Sequence, residues 1–192
     1  MCYIAVDIGV KHFAYAVFEN FNTEQSSFNP RVIDFNIIEL NKNNNDLIND
    51  LIEWFNNFEN PLGSEVFVKC VIIEQQVKNN VKALIIQNII MTICKLKGID
   101  YYVFNPKLKF KLMGENVKLN YKERKQKSID YIIMYFNKYD LIDLKLKFMR
   151  FIKKDDVADA LNMGLMYLYG LEGHSPRDFT EISKKIIEVY KG

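Results

Sequence analysis

Tyr3-Ile-Ala-Val-Asp7-Ile-Gly9 is an apolar run that carries one carboxylate and closes on a glycine. Its length and β-branched content predict a short buried strand, Tyr3–Ile8. A second apolar run at Phe13–Phe18 follows closely enough for a hairpin. Val32–Leu40 alternates as a third strand, Val66–Ile73 is a strongly apolar fourth, and Ile99–Phe104 reads as a fifth. Helical periodicity appears at Asp46–Phe58, with Asp46 as its cap, at Val81–Leu96 before Gly98, at Tyr121–Asn137 and at Asp156–Tyr169. A last helix is predicted at Thr180–Tyr190. The turn-like stretches are Asn20–Pro30, Asn41–Asp46 and the Pro61/Gly63 stop. Residues 105–120 read as an irregular basic loop, and 138–153 fit no pattern. Antiparallel strands come first and strands alternating with helices follow. This order predicts an α/β protein with one five-stranded mixed sheet flanked by helices.

The 192 residues suit a single domain spanning 1–192, with a core of about 3–171 and a C-terminal helical extension at 172–192. A hydrophobic fraction of 49% and a charged fraction of 26% exclude a disordered or collagen-like chain. No apolar segment reaches membrane-spanning length, and no leader-like segment precedes the first strand, so the chain reads as non-secreted and free of membrane. Three cysteines and two histidines form no zinc-ligand spacing and no disulfide framework. The net charge of +2 hides an asymmetry: residues 105–154 hold 14 Lys or Arg against 5 Asp or Glu. Such a stretch suits a polyanion, a solvated lysine-rich helix face being the plainer reading.

Carboxylates stand where they are costly. Asp7 lies inside an apolar strand and Glu74 ends another, while Asp156 and Asp159 share one face at a helix start. Taken singly, Asp7 fits a turn cap, Glu74 an exposed strand end, and Asp155, Asp156 and Asp159 the positive end of a helix. Taken together, four carboxylates can hold two divalent ions for phosphodiester cleavage. Oxygen-only ligands favour Mg²⁺, with Mn²⁺ as substitute.

Three segments carry a resemblance: Tyr3-Ile-Ala-Val-Asp7-Ile-Gly9, Val71-Ile-Ile-Glu74-Gln75 and Lys154-Asp-Asp156-Val-Ala-Asp159-Ala-Leu161. Over roughly residues 3–169 the chain resembles the RuvC family of Holliday-junction resolvases, most of all its poxvirus branch. The resemblance implies a ribonuclease-H-like fold and metal-binding acids at Asp7, Glu74, Asp156 and Asp159, with the role of Asp155 open. It also implies catalytic lysines. Pro106-Lys-Leu-Lys109-Phe-Lys111 leaves the register between Lys109 and Lys111, and Lys125 matches the second lysine, with Lys122 as alternative. Lys107, Lys118, Lys122, Arg124 and Lys127 are then candidates for gripping DNA phosphates.

The implied activity is paired, symmetric nicking of four-way junctions and of branched or concatemeric viral replication intermediates, in the host cytoplasm. Paired cutting implies a homodimer. Val81–Leu96 is apolar on more than one face, which suits either a partner subunit or burial within one domain; Tyr131–Tyr135 is a second candidate surface. A YqgF-like nuclease acting on RNA and a non-catalytic nucleic-acid module are the alternatives. An actin-like kinase, which also begins Asp-x-Gly, needs roughly twice this length.

Overall fold

A computed structural model describes residues 1–19, 31–40, 44–59, 67–112, 119–171 and 187–190. Its strands are β1 (Cys2–Ile8), β2 (His12–Glu19), β3 (Arg31–Glu39), β4 (Val68–Glu74) and β5 (Asp100–Phe104). The helices are α1 (Asn44–Glu59), α2 (Val81–Lys97), α3 (Lys107–Leu112), α4 (Tyr121–Lys138), α5 (Ile142–Met149) and α6 (Lys154–Met166), the last continuing as a π-helical turn over Tyr167–Leu171. The sheet order is β3-β2-β1-β4-β5. Both pairings among the first three strands are antiparallel, whereas β1–β4 and β4–β5 are parallel. This is the five-stranded mixed sheet that the order of elements predicted.

Alternation along the strands builds two cores, one on each face. Tyr3, Ala5, Ala14, Ala16, Phe18, Cys70 and Ile72 face the layer holding α4, α5 and α6. Ile4, Val6, Phe13, Tyr15, Val71 and Ile73 face α1 and α2, where Trp54 meets Phe13 edge-on at 4.9 Å. A strand buried on both faces explains why β1 and β4 read as unbroken apolar runs.

Two expectations, the loop at 105–120 and the Asp46 cap, are corrected, and one unassigned segment is filled. The supposed basic loop at 105–120 contains α3. Asn105 accepts a hydrogen bond from the Lys107 amide at 3.0 Å, and Pro106 precedes the first turn. Asn-Pro is a helix-start signature that the density of lysines obscured. The unassigned 138–153 holds α5. The turn before it places Asp140 at φ 53, and the Leu141 amide donates to the Phe136 carbonyl at 2.9 Å. An aspartate stands where a glycine would ordinarily announce the end of α4. Asp46 does not cap α1 but lies in its first turn. The turn at Asn20–Pro30, the Pro61/Gly63 stop and most of the helix placed at Thr180–Tyr190 lie outside the described residues; 187–190 are helical.

Small residues let α6 approach the sheet. Ala5, Ala14 and Ala16 lie beneath Ala158 and Ala160 in one core. At Gly164 an added Cβ would stand 2.1 Å from the ring of Phe18, which is fully buried. Gly164→Ala gains about 1 kcal/mol in helix propensity. Overpacking against a fully buried ring at 2.1 Å, far inside van der Waals contact, costs up to about 3 kcal/mol and outweighs that gain. Urea unfolding of Gly164→Ala should therefore show a net loss of stability.

Candidate active site

Asp7 and Glu74 are neighbours because of strand register. Val6 pairs with Ile73 across the parallel β1–β4 ladder, so the next residue on each strand reaches the same sheet edge. Alternation turns both side chains to the α6 face, as the inward Ala5 and Ile72 show. The start of α6 overhangs this edge. It contributes Asp155 and Asp156 from its first turn and Asp159 from the next. Pro106, Lys107, Lys109, Tyr121, Arg124 and Lys125 complete a pocket with Asp7, Glu74, Asp156 and Asp159.

The charges are divided into two groups. Asp7, 9% exposed, is hydrogen-bonded to Glu74, and its carboxyl is held well above the ordinary carboxylate value. Burial is the main cause, followed by the negative charges of Glu74 and Asp159. Glu74 accepts from Gln76 Nε2 at 2.9 Å, and the Gln76 amide donates to the buried Gln87 at 2.7 Å, fixing the strand end.

Asp159 is equally buried but goes the other way. Burial opposes its charge, yet ion pairs with Lys109 and Lys125 and hydrogen bonds from Lys109 and Ser128 outweigh burial and lower its pKa. Lys125 Nζ bridges Asp159 at 3.0 Å, Asp155 at 3.3 Å and Asp156 at 3.4 Å. Burial favours the neutral lysine, but Asp159, Asp7 and Asp155 raise its pKa above the ordinary lysine value. Asp156 is raised by burial and by Asp155, with Lys125 offsetting part of the effect.

All four acids singled out in the sequence thus line one pocket. Among the described residues, however, no three carboxylates already form a metal-ligand cluster. Burial and the charge of Glu74 raise the Asp7 carboxyl, with Lys125 opposing them; Asp156 and Asp159 are ion-paired with lysine. Together Asp7 and Glu74, a buried and a half-buried carboxylate with oxygen ligands only, fit a hard divalent cation.

Of the two register choices, Lys109 stands in the pocket against Asp159, whereas the side chain of Lys111, in α3, lies outside the described residues. Lys125 reaches the acids; Lys122 is exposed and does not line the pocket. Lys107 and Arg124 are exposed at the rim, Lys127 is half-buried farther along α4, and Lys118 lies outside the described residues. Ser128 and Asn162 were missed in the sequence. Both are fully buried, and Asn162 donates to Ser128 Oγ at 2.9 Å. Their only signal is a polar residue on the inward stripe of an otherwise apolar helix.

Comparison with known proteins identifies the family and the fold. The family model described as Poxvirus A22 protein matches residues 1–172. The Holliday junction resolvase of fowlpox virus (strain NVSL) is 28% identical over 176 residues, covering 89% of this chain and 94% of that protein. The crystal structure of fowlpox virus resolvase with substrate Holliday junction DNA superposes with a TM-score of 0.63 at 25% identity, covering 88% of this chain and 97% of the other. Thermus thermophilus RuvC gives a TM-score of 0.61 at 12% identity over 90% of this chain and 97% of the other, a likeness of fold alone. The mixed sheet is therefore of the ribonuclease-H-like, RuvC type.

The raised Asp7 carboxyl gives a pH-dependent prediction. The folded chain holds a proton that the unfolded chain releases near the ordinary value of 3.8. The stability this proton contributes is complete below that value and is lost as pH rises through the higher folded value. In EDTA near neutral pH, Asp7→Asn should be more stable than the wild type. The gap should close toward pH 4, and added Mg²⁺ should stabilise the wild type only. Denaturant unfolding at several pH values checks each point.

Proposed function

The chain belongs to the Poxvirus A22 protein family, and we propose that it is a divalent-metal-dependent endonuclease that resolves four-way DNA junctions. The observation that carries this reading is the convergence of Asp7, Glu74, Asp156 and Asp159 with Lys109 and Lys125 in one pocket at the ends of β1 and β4. The fowlpox relatives, one of them crystallised with Holliday junction DNA, supply the substrate. Mg²⁺, or Mn²⁺ in its place, would be held first by Asp7 and Glu74; Asp156 and Asp159 are the acids for a second ion. Bound there, the metal supplies charge stabilisation and an activated water.

The chain's own residues do the rest. Lys109 and Lys125 place positive charge beside the acids, where a scissile phosphate is to sit, and offset charge that develops in the transition state. Lys107 and Arg124 at the rim, with Lys118, Lys122 and Lys127, grip the flanking phosphates. The rim lysines and Arg124 thus serve binding, and the acids with Lys109 and Lys125 serve cleavage. Among the described residues no helix is long and apolar enough to cross a membrane. The viral relatives support placing the work in the host cytoplasm, on branched or concatemeric replication intermediates.

Paired cuts call for two sites related by a two-fold axis, hence a homodimer. Part of the apolar surplus of α2 is used at home: Ala83, Ile86, Ile90 and Ile93 are buried. Val81, Ile85 and Leu96, 63%, 39% and 83% exposed, remain on the outer face beside half-buried Ile89 and are where the second copy is placed. Tyr131 and Tyr135 cannot serve, being packed into the core.

Asp7→Asn, Glu74→Gln, Asp156→Asn and Asp159→Asn should each lower nicking of a synthetic four-way junction by about 100-fold or more, since removing one charged group from such a site costs that much. Junction binding should remain and weaken steeply with salt. Full activity in two of these variants overturns the reading. Sedimentation at micromolar concentration should show a dimer, and Ile85→Asp with Leu96→Asp should yield monomers whose plasmid-borne junctions accumulate single nicks.

A further inference from the structure

The family match ends at residue 172, yet residues 187–190 pack back onto the catalytic half of the molecule. Val189 and Tyr190 are buried. The Tyr190 ring meets Tyr131 at 5.4 Å and Tyr135 at 6.4 Å, and Lys138 donates to the Glu188 carbonyl. A hydrophobic dock would need no hydroxyl there. Tyr190 nevertheless donates its hydroxyl to Asn162 Oδ1 at 2.7 Å. The Asn162 amide in turn donates to the Ser128 carbonyl at 3.0 Å and to Ser128 Oγ at 2.9 Å. Ser128 donates onward to Asp159 Oδ1.

Each donor in this chain has one assignment. Asn162 cannot be turned over, because its amide would then face the Tyr190 hydroxyl and its oxygen the Ser128 carbonyl. Ser128 Oγ accepts from Asn162, and from Lys109 at 3.5 Å, so its single proton goes to Asp159. Three hydrogen bonds point one way, from the phenol toward the carboxylate. Aligned dipoles in a buried setting strengthen one another. Burial keeps the phenol protonated as the first donor.

We propose that Tyr190 is a positioning residue for Asp159, acting through Asn162 and Ser128 to hold Oδ1 of that carboxylate beside Lys109, so that Oδ2 is the oxygen turned to Lys125 in the pocket. The inference rests on the reading of Asp159 as a metal-binding acid. Partners of metal ligands typically matter by roughly 10–100-fold in affinity or activity; Tyr190 stands two links farther back, and a factor of about 3–10 is expected.

The test uses Tyr190→Phe, which keeps the ring and deletes the hydroxyl. Val189→Ala loosens the same segment and keeps the relay, and Asp159→Asn is the reference. Mn²⁺ binding to the DNA-free protein is read by electron paramagnetic resonance, and single-turnover nicking is measured at saturating junction. Tyr190→Phe should raise the Mn²⁺ dissociation constant and lower the nicking rate by that factor, with junction affinity in EDTA unchanged within about twofold. Val189→Ala should lower the melting temperature and leave Mn²⁺ binding alone. Wild-type behaviour of Tyr190→Phe, or an equal Mn²⁺ shift in Val189→Ala, overturns the proposal while the nuclease reading stands. Mn²⁺ binding unaffected by Asp159→Asn removes the acid the relay serves, and the metal assignment falls with it.

Discussion

One buried anion organises the catalytic half of this protein. Taking a carboxylate such as Asp159 out of water costs several kcal/mol unless partners replace the solvent. Here the partners come from separate elements: Lys109 from α3, Lys125 and Ser128 from α4, and the acid itself from α6. Such an arrangement adds little net stability over an apolar core of equal volume, but losing one partner strands a charge. The position of α3 and α4 over the sheet is therefore specified by electrostatics as much as by packing. In the adjacent Asp7–Glu74 pair, burial and the charge of Glu74 raise the Asp7 carboxyl while Lys125 opposes them, and a divalent cation would offset the same charge.

That anion is close to the sheet because α6 is close to the sheet. Alanines on both surfaces, and Gly164 against Phe18, remove the side-chain thickness that ordinarily separates a helix from strands. The small-residue face and the acids belong to one design: a bulkier face would lift Asp156 and Asp159 away from Asp7 and Glu74.

Much of this was legible in the sequence. β1 and β4 were visible as apolar runs because both their faces are covered, and their terminal acids stood out for the same reason. The order of the acids, with Asp156 and Asp159 one helical turn apart, placed them on one side of α6. What stayed hidden was polar chemistry without a periodic signal. The start of α3 was concealed by lysines, although Asn105-Pro106 announces it. α5 was concealed because Asp140 takes a left-handed turn that sequence patterns assign to glycine. Ser128 and Asn162 are single polar residues on buried stripes, and nothing in composition shows that one donates to the other. The surplus of apolar residues on α2 divided between the protein's own core and an exposed stripe, a division that only the packing of the sheet decides.

The parallel pairing of β1 with β4 has a consequence for how the chain acquires its activity. β1, β2 and β3 are joined by local, antiparallel contacts, the kind that form early and cheaply. Asp7 alone belongs to that unit. Glu74 joins it only after the crossover through α1 closes a parallel ladder, and Asp159 only after α6 settles on the finished sheet, more than a hundred residues farther along. Contacts of such sequence separation are rewarded late. A chain in which only β1, β2 and β3 had formed would hold Asp7 without Glu74, Asp159 or the lysines of α3 and α4. The pocket that we propose as the metal site therefore exists only in the complete native topology.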